Sequence, residues 1–284
     1  MSAPFHLLPS NLMPELPEVE TVVRGLRSLI TGQTIQRVEV YREKTVPGST
    51  PQAFAAAVQG CTIESVTRRA KYLLFQLQPE SLLLGHLRMT GKFVVTDPPS
   101  EPAPHDRAWF WLGNSQVLIF TDMRNFGTLE LFPSATEIPK LQVLGPEPLT
   151  EDFNTRYLYP RLKASSKEIK PFLLDQRLVA GIGNIYASEI LFASGVLPQR
   201  NSHSMKKKEV QAVVENTRRI LLSAIEYNGT SVSDFRQVDE KTGEFQNFLQ
   251  VYDKESQPCP RCAVPLQRIV QQQRSTFFCI GCQK

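Results

Sequence analysis

The chain has 284 residues, of which 41% are hydrophobic, so it is long enough for roughly two or three globular domains with real cores. It contains no run of 18 or more apolar residues, and its first residues lack the positive region and apolar core of a signal peptide. We therefore expect a cytoplasmic protein without membrane association. The net charge of +4 is compatible with a polyanionic partner, but many enzymes that bind no polyanion are equally basic.

An amphipathic helix is predicted over residues 17–31, and Gly32 ends it. Pro17 suits the first helical turn, and the glutamates around it suit the positive end of the helix dipole. The apolar side of this helix is formed by Val19, Val22, Val23, Leu26, Leu29 and Ile30.

A second interpretation of this stretch concerns Pro14, which directly follows Met13. A proline at the start of a chain carries a secondary amine that can attack an electrophilic sugar carbon, whereas a proline nitrogen in a peptide bond has no available lone pair. This chemistry requires that residues 1–12 be absent, and we expect that extension to be missing from the mature protein. The helix start and the nucleophile are compatible interpretations.

Short alternating or β-branched runs dominate residues 34–132 and predict a β-sandwich or barrel. The clearest predicted strands are residues 35–40, 72–77, 93–96, 108–112 and 117–121. Helices are predicted in the second half of the chain, at residues 170–175, 184–193 and 207–226. The proline-rich residues 133–148 are expected to form a linker, and residues 227–248 a long functional loop.

Four of the five cysteines form two pairs, Cys259-x-x-Cys262 and Cys279-x-x-Cys282, separated by sixteen residues. Two such knuckles supply the four thiolates that a structural zinc ion prefers. A pair of disulfides is the alternative, but nothing in the sequence suggests secretion. Cys61 stands alone and is expected to be a small buried hydrophobic residue.

A series of motifs runs in order along residues 13–284. The first is Met13-Pro-Glu-Leu-Pro-Glu-Val-Glu20, and the four-cysteine finger is the last. The motifs between them are Arg68-Arg-Ala-Lys-Tyr-Leu-Leu74, Gly85-His-Leu-Arg-Met-Thr-Gly91, Asp122-Met-Arg-Asn-Phe-Gly127, Leu144-Gly-Pro-Glu-Pro-Leu149, Ala180-Gly-Ile-Gly-Asn-Ile-Tyr-Ala-Ser-Glu189 and Gln273-Arg-Ser-Thr-Phe-Phe-Cys279. Together they resemble the formamidopyrimidine-DNA glycosylase family of bacterial base-excision enzymes. Leu16 favours the purine-directed branch, because the related endonuclease VIII-like glycosylases typically have glycine there.

The resemblance implies a DNA glycosylase and AP lyase that removes 8-oxoguanine and formamidopyrimidines from double-stranded DNA. Pro14 would attack C1′ of the damaged nucleoside and form an iminium intermediate, and Glu15 would protonate the sugar ring oxygen. Lys71 would donate a proton during β-elimination and contact the phosphate, and Arg274 on the finger hairpin would serve δ-elimination. Taken singly, Glu15 is more typical of a helix-start charge, and Lys71 and Arg274 are more typical of solvated surface cations.

The resemblance also implies how DNA is held. A base inside a duplex hides its glycosidic bond, so the nucleotide must be extruded and the hole filled. Met89, Arg124 and Phe126 match the family's void-filling residues, although Met89 and Phe126 taken alone are equally typical of a protein core. Residues 229–235 match the loop that closes over the flipped base. The remaining implied DNA contacts are His105, Lys170 and Asn184.

The implied fold is α+β and the implied protein a monomer. Zinc would be structural, because four cysteines leave no open coordination position, and its loss would abolish DNA binding. Ser165 stands where the family usually has a basic residue, and Lys167 is the candidate to replace that phosphate contact. The expected regions are an extension that is absent from the mature protein (1–12), a catalytic β-sandwich with an N-terminal helix (13–132), a linker (133–148), a helix–two-turns–helix domain with the lid loop (149–248) and a zinc-finger β-hairpin (249–284).

Two other functions are compatible with parts of this pattern. A catalytically silent relative that binds damaged DNA would keep these motifs but not an exposed Pro14 amine. A zinc-ribbon protein that binds RNA or another protein would keep the finger, but it would not need the lysine and void-filling motifs. Covalent trapping on damaged DNA separates the first alternative from the enzyme.

Overall fold

A computed structural model of the chain describes residues 13–133, 138–230 and 243–284. The predicted extension of residues 1–12 lies outside them, as does most of the predicted lid loop. The chain divides into two compact units, one within Met1–Gln142 and Asn228–Gly243 and the other within Val143–Tyr227 and Glu244–Lys284. Among the described residues, no helix combines the length and apolar character needed to cross a bilayer.

The first unit is a sandwich of two four-stranded antiparallel sheets, with strand orders β1-β6-β7-β5 and β2-β3-β4-β8. This confirms the predicted α+β fold with an N-terminal sandwich, and the strands predicted from alternation are present. Its elements are α1 (Leu16–Ile30), β1 (Ile35–Val40), α2 (Pro51–Val58), β2 (Thr62–Arg69), β3 (Tyr72–Gln78), β4 (Ser81–His86), β5 (Gly91–Thr96), β6 (Asp106–Leu112), β7 (Val117–Asp122), β8 (Thr128–Phe132) and α3 (Pro139–Gln142).

Aromatic side chains fill the centre of the sandwich. The Phe93 ring centroid lies 5.5 Å from that of Phe75 and 4.9 Å from that of Phe120, distances typical of favourable aromatic pairs. Cys61 is buried in the same core, as predicted. The predicted apolar side of α1 was wrong at Leu29, which is 40% exposed. Leu26 and Ile30 cover the core at that end of the helix, so the apolar stripe is narrower than the pattern indicated.

The second unit is helical and ends in a β-hairpin. Residues 185–192 of its central helix are all buried, which explains why that helix is apolar on every side. The three helices predicted here are present, and the linker residues 133–148 include the short helix α3. The elements are α4 (Thr155–Lys163), α5 (Ile169–Leu174), α6 (Asn184–Ala193), α7 (Lys207–Glu226), β9 (Gln267–Gln271) and β10 (Arg274–Phe278).

Two polar side chains shape the turns between α5 and α6. Gln176 accepts a hydrogen bond from the Gly181 N–H at 2.8 Å and donates one to the Ile182 carbonyl at 2.8 Å. Asp175 accepts from the Arg177 guanidinium at 2.9 Å and 3.0 Å and from Lys167 Nζ at 2.7 Å. Side chains thus satisfy backbone groups that have no helical partner.

The acid sensitivity of this unit should depend on Asp175. Hydrogen bonds from Arg177 outweigh the effect of burial and, with Lys167, hold the pKa of Asp175 well below its usual value. A lowered folded-state pKa adds stability above the unfolded pKa of about 3.9, and that stability is lost as pH falls through the folded pKa. Asp175→Asn should therefore lower the urea midpoint of unfolding at pH 7, and the difference in midpoint from wild type should shrink below about pH 4.

The matched control for this prediction is Asp152→Asn, which changes an exposed aspartate of the same unit. Its urea midpoint should equal that of wild type both at pH 7 and below about pH 4. A gap for Asp175→Asn that stays constant from pH 7 to pH 2.5 would contradict the assignment.

Candidate functional site

One end of the sandwich brings together three of the predicted site loops. In the β2-β3-β4-β8 sheet, the last residue of β4, His86, pairs with Tyr72 at the start of β3 and with Thr128 at the start of β8. The β2–β3 turn with Lys71, the β4–β5 loop with Met89 and the β7–β8 loop with Arg124 and Phe126 therefore leave the sheet at the same end.

The β1-β6-β7-β5 sheet places a fifth predicted residue, His105, at that end. Asp122, the last residue of β7, pairs with Gly91 at the start of β5, and Thr121 pairs with Asp106 at the start of β6. His105 precedes β6 directly, is exposed, and accepts a hydrogen bond from the Asp122 N–H through its carbonyl at 2.9 Å. Register thus brings together residues that are far apart in sequence.

The start of α1 is buried. Pro14 is buried, and the side chain of Glu15, which precedes the helix, is 2% exposed. The Glu15 N–H donates to Glu18 Oε2 at 2.9 Å, so the first turn of the helix satisfies one of its own backbone donors. A carboxyl held out of water in this way is suited to general-acid chemistry.

Glu20 of α1 is connected to the turn that carries Lys71. Arg68 donates from Nε to Glu20 Oε2 at 3.0 Å and from Nη1 to the Ala70 carbonyl at 2.8 Å. Ala70 has a positive φ of 52°, which the two-residue connection between β2 and β3 requires. Lys71 follows it and is half-buried, so it is not the fully solvated cation of the alternative interpretation.

Two of the void-filling candidates are exposed at loop tips. Phe126 is 52% exposed and Arg124 is exposed, with Arg124 Cζ 5.2 Å from the Phe126 ring centroid. Met89 is half-buried. A core role for Phe126 is therefore excluded, and an exposed aromatic ring beside a guanidinium is suited to stacking against bases.

The base of the predicted lid loop is held by Glu18. Its Oε1 accepts from the Thr230 N–H at 2.8 Å and from the Thr230 hydroxyl at 3.0 Å. Gly229 has a positive φ of 76°, and a Cβ there would lie 2.8 Å from Glu18 Oε1. Residues 231–235 of the predicted lid lie outside the described residues, so the lid role stays a prediction.

Lys170, predicted as a phosphate contact, is 1% exposed. Its ammonium group donates to Asn184 Oδ1 at 2.7 Å, to the Ser275 carbonyl at 3.0 Å and to Thr276 Oγ1 at 2.7 Å. Asn184 in turn donates to the same Ser275 carbonyl at 2.9 Å. A direct phosphate contact by Lys170 would require its ammonium group to leave these acceptors, whereas Asn184 is half-buried at the start of α6.

Arg274 lies at the tip of the β9–β10 hairpin and is exposed. The two connecting residues, Gln272 and Gln273, both have positive φ, 45° and 62°, as a two-residue type I′ turn requires. Because Ser275 is the residue that Lys170 and Asn184 hold, the backbone next to Arg274 is anchored to α5 and α6. The guanidinium is therefore presented from a fixed strand.

The four terminal cysteines fit one metal ion. Their Sγ atoms all lie within 4.8 Å of one another, with Cys259 and Cys282 at 3.8 Å and Cys262 and Cys279 at 3.4 Å. A tetrahedral zinc site with Zn–S bonds of about 2.3 Å has S–S edges of about 3.8 Å, whereas a disulfide bond is about 2.05 Å. The geometry suits zinc and excludes the disulfide alternative.

Three acidic residues of these structures were not given such roles from sequence. The sequence assigns Glu18 only to the helix dipole, and it gives no separate role to Asp122 or Glu189 within their motifs. Glu189 is 4% exposed and accepts from the N–H groups of Gln250, Val251 and Tyr252, each at 2.9 Å. The available signal was an acidic residue next to an apolar run, but its partners lie far away in sequence.

Comparison with known proteins covers nearly the whole chain. Residues 13–129 match the formamidopyrimidine-DNA glycosylase N-terminal domain, residues 144–236 the formamidopyrimidine-DNA glycosylase H2TH domain, and residues 256–284 the zinc finger found in FPG and IleRS. The formamidopyrimidine-DNA glycosylase of Carboxydothermus hydrogenoformans is 43% identical over 272 residues, covering 96% of this chain and 100% of that protein. The enzyme of Streptococcus mutans is 43% identical over 274 residues, with the same coverage.

Solved structures agree. The complex between Lactococcus lactis Fpg and DNA containing an abasic site superposes with a TM-score of 0.89 at 36% identity, covering 95% of this chain and 99% of that one. The MutM (Fpg) protein of Thermus thermophilus gives a TM-score of 0.85 at 41% identity, covering 95% and 98%.

Removal of the metal should unfold the hairpin. Cys279→Ser should lower bound zinc to well below one ion per chain and lower amide protection in β9 and β10 by about tenfold or more, because structural zinc contributes folding energy directly. Zinc analysis and hydrogen exchange measure the two effects. Cys61→Ala is the control, since Cys61 is buried in the core of the other unit, and it should keep its zinc. Unchanged hairpin protection in the Cys279 variant would refute the structural role.

Proposed function

This chain belongs to the formamidopyrimidine-DNA glycosylase family, and we propose that it excises oxidised purines from double-stranded DNA through an amine at Pro14. As a member it is a DNA glycosylase with AP lyase activity. The observation that carries the mechanistic proposal is the end of the sandwich where the loops of Lys71, Met89, Arg124 and Phe126 meet. The substrates would include 8-oxoguanine and formamidopyrimidines.

In the first step, the Pro14 nitrogen attacks C1′, the glycosidic bond breaks, and the departing base takes up the proton that the nitrogen loses. Glu15 protonates the ring oxygen as the C1′–O4′ bond opens, which leaves an iminium ion between Pro14 and C1′. The half-buried Lys71 then supports β-elimination, in which a C2′ proton is removed and the 3′ phosphate leaves. Arg274 serves the following δ-elimination, in which the 5′ phosphate leaves.

The mechanism requires a free secondary amine, so it requires a chain whose first residue is Pro14. The match to the N-terminal domain of the family begins at residue 13, and relatives align over their full length with 96% of this chain. Both facts support a working start at Met13 followed by removal of that methionine. With residues 1–12 attached, the Pro14 nitrogen is an amide and cannot attack.

Base removal needs the nucleotide outside the helix, and the exposed loop tips supply what fills the gap. Phe126 wedges into the stack, the Arg124 guanidinium bonds to the orphaned base, and the Met89 thioether packs beside them. His105 contacts the backbone near this point.

The second unit holds the duplex. The N-terminus of α6, entered through Gly181 and Gly183 and starting at Asn184, offers N–H groups to a phosphate. Four thiolates hold a zinc ion that orders the hairpin, and the hairpin presents Arg274. Lys170 orients the same hairpin through its hydrogen bonds to Ser275 and Thr276. The proposal keeps the domain limits expected from the sequence, which are 13–132, 149–248 and 249–284. It also includes a monomeric protein that binds the bacterial nucleoid in the cytoplasm.

Borohydride trapping on an 8-oxoguanine duplex tests the function. A chain that begins at Pro14 should form a covalent adduct, and the same chain carrying residues 1–12 should form about 100-fold less or none, because its proline nitrogen is an amide. Pro14→Gly should trap more slowly, since its primary amine is a different nucleophile. Gel analysis of adducts and intact mass measure the outcome.

The matched control is Pro17→Ala, which removes a neighbouring proline from the same helix start but leaves the amine intact. It should trap within about threefold of wild type, the range expected from a helix-start change alone. Binding without any adduct from the Pro14 chain would favour the catalytically silent relative instead.

A further inference from the structure

Asp122 ends β7 at the centre of the loops assigned above to void filling, and its side chain is 1% exposed. We propose that Asp122 is the positioning residue that holds the β4–β5 and β7–β8 loops in one shared arrangement for base extrusion. This inference rests on the proposed function, since it assigns a role to a residue that touches neither the sugar nor the base. One carboxylate oxygen accepts from the β7–β8 loop, and the other accepts from both loops.

One oxygen orders the loop with the aromatic wedge. Asp122 Oδ2 accepts from the Phe126 N–H and from the Gly127 N–H, both at 2.7 Å. Between these donors and β7 the chain turns sharply, with Asn125 at a φ of 57°. A Cβ at Gly127 would lie 2.6 Å from the Phe120 ring, so the loop is seated tightly on the core beneath it. The backbone that carries the exposed Phe126 ring is therefore fixed from inside.

The other oxygen connects the two loops. Asp122 Oδ1 accepts from the Thr90 hydroxyl and from the Arg124 N–H, the latter at 3.1 Å. The Arg124 N–H also lies 3.0 Å from Thr90 Oγ1, which closes a triangle. Thr90 directly follows Met89, so this triangle joins the backbone of the methionine loop to that of the arginine and phenylalanine loop.

The main chain of Asp122 is anchored as firmly as its side chain. Its N–H donates to the His105 carbonyl at 2.9 Å, and its carbonyl accepts from Arg107 Nε at 2.8 Å. Arg107 is 4% exposed, so this contact is shielded from water. The carboxylate therefore has little freedom to follow a moving loop, and the loops must keep their place around it.

A carboxylate is the group this position needs. Donors approach both oxygens, and an ionised carboxylate accepts at each, whereas an amide presents one oxygen and one NH₂ group. In Asp122→Asn, whichever way the amide turns, its NH₂ group faces at least one backbone N–H donor of the β7–β8 loop. The side-chain volume is almost unchanged, so the substitution alters the order of the loops more than the packing of the core.

The consequence is specific to base extrusion. Excision of a base from an intact pair needs all three void-filling side chains in register, whereas an abasic site has no base to extrude. Loss of Asp122 should therefore slow removal of 8-oxoguanine and spare reaction with a preformed abasic sugar. A role in general stability would lower both activities together.

The test uses Asp122→Asn and Thr90→Val, the latter removing only the hydroxyl that joins the loops. Single-turnover excision of 8-oxoguanine should fall about tenfold or more in Asp122→Asn and by a smaller factor in Thr90→Val. With 2-aminopurine beside the lesion, the fluorescence change that precedes cleavage should slow by the same factor in each variant. Borohydride trapping on a preformed abasic duplex should stay within about twofold of wild type.

Glu130→Gln is the matched control, because it makes the same carboxylate-to-amide change in β8, where Glu130 pairs with Lys140 at 2.6 Å. It should leave excision and fluorescence unchanged. Excision at the wild-type rate in Asp122→Asn, or an equal fall in excision and abasic trapping, would overturn the proposal. If wild type itself traps no abasic site, the proline chemistry fails, and the fluorescence rates alone then decide for or against Asp122.

Discussion

Side chains that meet DNA must be exposed, so their own burial cannot hold them in place. Phe126 is 52% exposed and Arg274 is exposed, yet in the proposed function each has to reach a defined point on a duplex. A buried charged group beneath each loop resolves this conflict, because hydrogen bonds from a charged group to the backbone contribute about 1.5–3 kcal/mol each. The exposed side chain at the loop tip is then held in place by the buried charged group beneath the loop.

Both units use this device. In the first, Asp122 orders the β4–β5 and β7–β8 loops. In the second, Lys170 holds the strand that carries Arg274, and the carboxylate of Glu189 holds the segment that leads into the zinc finger. Burial raises the pKa of Glu189, while its three backbone donors act in the opposite direction. Each of these groups is buried and hydrogen-bonded, so in the proposed function each would affect DNA binding through another residue rather than by contact.

The zinc site likewise orders an exposed segment, here a hairpin too short to form a hydrophobic core of its own. The hairpin of β9 and β10 exposes Val270 and much of its surface, and two strands alone are marginally stable in water. Four thiolates around one ion replace the missing apolar burial. The position of Arg274 thus depends on metal at one side of the hairpin and on a buried ammonium at the other.

Local patterns in the sequence determined the elements and the metal ligands. Helical spacing placed α6 and α7, alternation placed β1, and cysteine spacing identified the four thiolates, because each depends on neighbours a few residues away. Only the tertiary structure decided that Phe126 is exposed, that Lys170 is buried, and that Asp122 and Glu18 hold loops. Those facts depend on strand register and on partners between 32 and 212 residues away in sequence, which no local pattern encodes.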